Sequence, residues 1–208
     1  MSLADDIAHV GALLDAYAET HDRTGVAADE DDDAGVPRSM QVGPVNADGW
    51  VAWQMLPSTL TEGDVAAVEA AFGVAFPPVF RAYLLARFHL FDQVRSATHG
   101  QLVLMTDVPS RGGLAPLRAL LRAWRPLIAA GYVPFAEWGD GWGPMCFDVR
   151  RRADDGDCPV VWLDHERLVP LGEAMRQRAA VEPWAQPLYG SCRAFLADVF
   201  GRAGTAGA

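Results

Sequence analysis

The chain has 208 residues, 50% of them hydrophobic, which suits one substantial core with an appended segment and leaves two full domains cramped. A formal charge of −10, with every one of the 17 basic residues an arginine, repels nucleic-acid phosphates; the one basic run, Arg150-Arg151-Arg152, is answered at once by Asp154, Asp155 and Asp157. No apolar run is long enough for a membrane span, Met1 to Asp6 lacks the basic flank of a signal peptide, and Cys146, Cys158 and Cys192 form no CxxC pair, so we expect a cytoplasmic protein with reduced thiols.

In chain order, Ser2-Leu3-Ala4-Asp5 is a capping pattern, and Ile7, Val10, Leu14 and Tyr17 follow at helical spacing. Apolar content then falls from His21 to about Asn46, and the run Asp29-Glu30-Asp31-Asp32-Asp33 reads as a solvated loop without the spaced ligands of a calcium loop. A strand-compatible stretch covers Trp50 to Leu56. Thr61 and Asp64 predict a capped helix with Val65, Val68 and Phe72 on one face, ended by Gly73. Pro77-Pro78 opens a second helix that buries Phe80, Tyr83, Leu84 and Phe88. A hairpin over residues 91–108 turns at Thr98-His99-Gly100. Leu114, Leu117, Leu121, Trp124 and Ile128 predict one continuous third helix closed by Gly131.

Three strands are expected next, at 132–138, 144–149 and 159–164, joined by the Gly139–Gly143 turn and the charged 150–157 loop. Tyr189, Cys192, Phe195, Leu196 and Val199 define the apolar face of a last helix. The chain thus divides into a helix and acidic arm over 1–58, an α+β domain over 59–202 with a mostly antiparallel sheet under packed helices, and a Gly/Ala tail over 203–208.

Asp140, Asp148, Asp164, His165 and Glu166 are the polar residues that this strand layout can gather, because all lie at or beside strand ends. A metal-dependent hydrolase would need several of them at one point; as turn and strand-terminating residues they have a simpler reading. Cys146, Cys158 and His165 would make a zinc corner only if neighbouring strands aligned them. No nucleophile elbow, phosphate loop or dinucleotide fingerprint is present, and the Gly139–Gly143 turn leads into a strand rather than a helix. Neither cofactor nor metal nor catalytic residue is expected. His89 and His99 read as lone histidines. Trp138 and Trp142 flank the glycine turn, and Trp162 lies on the strand expected beside it; a tryptophan at a turn tip such as Trp142 has little core to enter and suits a partner contact.

Three blocks carry a resemblance. Leu60-Thr61-Glu62, Glu69, Phe72-Gly73 and Phe76-Pro77-Pro78-Val79-Phe80 with Tyr83-Leu84 form the first. Val133-Pro134-Phe135-Ala136 through Gly139-Asp140-Gly141 to Cys146-Phe147-Asp148 is the second, and Pro159 to Glu166 the third. Together they resemble the SUKH superfamily, which includes the fungal cell-wall regulators of the SMI/KNR type and bacterial toxin immunity proteins. The likeness covers roughly residues 60–200; the N-terminal arm lies outside it, and the second helix lacks the Asn-Gly usual after it.

The resemblance implies helices packed on one sheet, no catalytic machinery, and action by binding a protein partner, commonly a polymorphic toxin domain and often a nuclease with a basic surface that an acidic inhibitor complements. The surface expected to bind comprises Trp138, Asp140, Trp142, Asp148, Asp164, His165 and Glu166. A regulatory or scaffold protein without a toxin is the alternative. The oligomeric state is not read from the sequence.

Overall fold

Local signals set the first elements of the computed structural model, which describes residues 2–28 and 35–201. The acidic run at 29–33 and the tail at 203–208 lie outside the described residues. Ser2 and Asp5 bond reciprocally as a capping box and open α1 (Leu3–Ala18), whose Val10, Leu14 and Tyr17 are buried. Three short strands, β1 (Thr24–Val26), β2 (Gln41–Val42) and β3 (Trp50–Trp53), form an antiparallel sheet in the order β1-β3-β2. β4 (Leu56–Pro57) precedes α2 (Glu62–Phe72), which Thr61 and Asp64 cap as expected. α3 (Pro78–Ala86) begins behind Pro77 and is buried along most of its length.

The main sheet has six strands in meander order: β6 (Gln93–Arg95), β7 (Leu102–Met105), β8 (Tyr132–Trp138), β9 (Pro144–Asp148), β10 (Val160–Leu163) and β11 (Ala185–Tyr189), every neighbouring pair antiparallel. The fold is therefore α+β, with helices packed on an antiparallel sheet. Alternation along the central strands sorts side chains between two cores. Phe135, Met145, Phe147 and Val160 face the larger one, shared with α1, α3 and α8 (Cys192–Phe200). Tyr132, Cys146, Val161 and Leu163 face the smaller one, filled by Leu127, Leu168 and Val181. Because both faces are covered, all five residues of β9 are buried.

Several expectations need correction. The second helix ends at Ala86, and Phe88, still buried, lies on β5 (Arg87–Phe88), paired with β4. The third helix is two, α4 (Ala115–Ala123) and α5 (Arg125–Ala129), broken at Trp124 where φ is −107° and ψ is 24°. Pro126 supplies no N–H to continue the first helix, and the break turns Leu127 and Trp124 toward the smaller core while Leu117 and Leu121 stay in the larger. Tyr189 lies not on the last helix but at the end of β11, an edge strand that Pro187 is free to occupy because one side of it is unpaired.

Although β6 and β11 are opposite edges, the sheet curls until their ends touch. The Ser96 and Tyr189 hydroxyls are 2.7 Å apart, and both donate to Asp198 on α8, at 2.8 and 2.7 Å. Thr98 adds its backbone N–H at 2.9 Å. Burial acts to raise the Asp198 carboxyl, but the bonds from Thr98, Tyr189 and Ser96 outweigh it and hold its pKa below the usual carboxylate value. His99 is not alone: its Nε2 lies 3.3 Å from the Leu188 carbonyl, and its ring meets Trp138 and Tyr189 edge-on. Among the described residues no helix is long and apolar enough to cross a membrane.

Candidate protein-binding site

The seven residues expected to bind divide between opposite ends of the sheet and its interior. Trp138 ends β8 inside the larger core at 5% exposure, so it supports the turn from beneath and is not presented to a partner. Asp148 ends β9 at 2% exposure, away from the others. Arg178, on the short helix α7 (Arg178–Val181), grips both its carboxylate oxygens at 2.8 Å, and Arg151 approaches to 3.5 Å. The same guanidinium lies 4.8 Å from the Tyr132 ring centroid and donates to Glu182 at 3.0 Å. Its bonds to Asp148, opposed by burial, raise the Arg178 pKa further. This network ties residues 165–184 to the sheet; sequence reasoning missed it, since Asp148 and Arg178 are 30 positions apart.

At the other end the chain gathers Trp142, Trp162, Asp164, His165 and Glu166 around one cleft of about 240 Å³. Asp140 stands exposed in the adjoining turn. The turn is held by backbone: Trp138 N–H donates to the Gly143 carbonyl at 2.9 Å and His165 N–H to the Trp142 carbonyl at 3.1 Å. Gly143, at φ 131°, passes so close to β10 that a Cβ there would come within 2.2 Å of the Leu163 carbonyl oxygen. The Trp142 ring folds back over Gly139, where a Cβ would meet it at 2.6 Å, yet the side chain remains 46% exposed. Asp164 caps the short helix α6 (His165–Leu168), one oxygen accepting from the Glu166 N–H at 2.8 Å.

The cleft is electrostatically open. Among the described residues, no basic side chain pairs with Asp164 or Glu166, whereas Asp6, Asp15 and Asp148 each hold an arginine. Nε1 of Trp162 and Nδ1 of His165 are buried without a hydrogen-bond partner. Trp162, on β10, packs against the larger core and also lines this cleft.

Cys146, Cys158 and Cys192 lie in the interior. All three are buried and unpaired; burial pushes Cys146 and Cys192 well up and Cys158 up to about 11, so none is a ready thiolate. Asp157, expected in a solvated loop, is buried and accepts N–H bonds from Cys158, Cys192 and Arg193, anchoring the start of α8. Among the described residues no group of three or more His, Cys, Asp or Glu side chains is placed to hold a metal ion. A second exposed apolar surface, also missed from sequence, is the outer side of the β1-β3-β2 sheet, where Val26, Val42 and Trp50 face outward. No protein-family model matches the chain, and no curated protein matches it.

Proposed function

We propose that the chain is a non-catalytic protein-binding module, a bacterial immunity protein of the SUKH type that neutralises a cognate toxin domain by direct contact. One observation carries the reading: an exposed tryptophan, Trp142, shares a cleft with two carboxylates, Asp164 and Glu166, that no arginine of the described chain pairs. A large aromatic beside unpaired acids suits a protein contact, since the ring supplies buried area and the acids supply sign. Net charge −10 speeds encounter with a basic toxin. The three sequence blocks that resemble the superfamily support the same reading.

Contact would block the toxin sterically or electrostatically, with Trp142 as anchor and Asp164, His165 and Glu166 as rim. Asp140 in the turn extends the acidic surface, while Trp138 and Asp148 hold the scaffold. Co-expression with candidate toxin domains from neighbouring genes, scored by growth, tests this. The wild-type chain should restore growth, and Trp142→Ala should fail to do so at the same cellular level of folded protein. Failure of the wild-type chain to protect sinks the reading.

A further inference from the structure

We infer that the cleft between Trp142 and Trp162 is a receptor for an arginine side chain presented by the protein partner. The inference rests on the proposed function and names the chemistry that the site reads.

The chain itself shows how it fills a site made of a ring and a carboxylate. At the far end of the sheet, Arg178 lies over Tyr132 at 4.8 Å and clamps Asp148 through two bonds of 2.8 Å. Arg193 on Asp6 and Arg87 on Asp15 repeat the acid-to-guanidinium pairing. The Trp142–Trp162 cleft offers the same ingredients, two indoles with Asp164 and Glu166, and lacks the cation. Arg167, the neighbour in sequence, is turned away over Trp184 at 5.3 Å. With one oxygen of Asp164 engaged by the Glu166 N–H, its other oxygen and the Glu166 carboxylate are left for an incoming donor.

Arginine fits better than lysine or a metal ion. A guanidinium is planar, stacks on an indole face and donates two parallel bonds to carboxylates, whereas an ammonium is a compact, strongly hydrated point charge.

The test uses the full-length chain labelled with nitrogen-15, titrated at constant ionic strength with N-acetyl-arginine amide and with its neutral isostere, N-acetyl-citrulline amide. The indole N–H resonances of Trp142 and Trp162, assigned by Trp→Phe replacement, should shift saturably with the arginine compound and not with citrulline. In Asp164→Asn/Glu166→Gln the affinity should fall at least about tenfold, and since Asn retains the capping oxygen the thermal midpoint should hold. Equal response to citrulline, no saturable shift, or an unchanged affinity in the double variant overturns the inference. Growth protection without arginine binding removes this inference alone; arginine binding without protection removes the toxin reading and keeps the receptor.

Discussion

The two ends of the sheet make an instructive pair. Asp148 closes β9 at one end, and Asp164 follows β10 at the other; each stands near an aromatic ring. At the first end the segment 165–184 returns Arg178 over the sheet, so that the carboxylate is 2% exposed, doubly bonded and sealed. At the second end the chain supplies no such arginine among its described residues, and the cleft stays open. One acid therefore holds the fold together while the other is left for solvent or a partner, although both are aspartates that end a strand.

Removing the sealed acid should have the largest effect. Asp148→Ala strips Arg178, itself 14% exposed, of its main partner and should cost about 3–5 kcal/mol in urea unfolding; a loss under about 1 kcal/mol would mean that the network behaves as an exposed salt bridge and would erase the contrast. A site belonging to neither end calibrates the comparison. His89 is fully buried among Tyr83, Phe91 and Phe200, and burial lowers its pKa from an ordinary 6.5 to about 3. The unfolded chain takes up that proton first, so folding stability contributed by neutral His89 is complete above pH 6.5 and is lost as pH falls toward 3. Relative to His89→Phe, the wild-type chain should lose up to about 1.4 kcal/mol per pH unit in that window, with Asp107 and every other group cancelling between the two proteins. Parallel stability curves for the pair would contradict the neutral, buried assignment.

The open end should respond weakly. Trp142→Ala should change unfolding stability by less than about 1 kcal/mol, because the ring lies on its own turn and remains 46% exposed. Smallest of all is Asp164→Asn, expected within a few tenths, about 0.5 kcal/mol at most, since Asn caps a helix as well as Asp does. A stability loss at Asp164 comparable to that at Asp148 would show both ends to be structural.

Much of this architecture was legible because it is local. Ser2 with Asp5 and Thr61 with Asp64 announce two helices, Pro77-Pro78 a third, and the glycine turn between β8 and β9 places the meander. What was hidden depends on distant partners. The apolar spacing from Leu114 to Ile128 suits one helix, whereas Pro126 and packing on two different cores break it at Trp124. β11, with Pro187 and exposed Gln186, lacks the alternation that would reveal a strand. The N-terminal helix reads as peripheral, yet Val10, Leu14 and Tyr17 share the core with Phe80 and Phe200, because α1 lies against α3 and α8. Of the expected site, Trp142, Asp164, His165 and Glu166 share one cleft since the turn and the start of α6 are joined by a backbone bond. Trp138 was misplaced because alternation along β8 points it into the core, and Asp148 because its arginine arrives from 30 residues away.

The central claim is that the open end of the sheet recognises a protein. Calorimetric titration of whichever toxin domain the growth assay identifies as the partner, into wild-type protein and Trp142→Ala, tests it most directly. The account expects tight binding by the wild type and at least about tenfold weaker binding by the variant, with thermal midpoints alike. Equal affinity for the two proteins would contradict it.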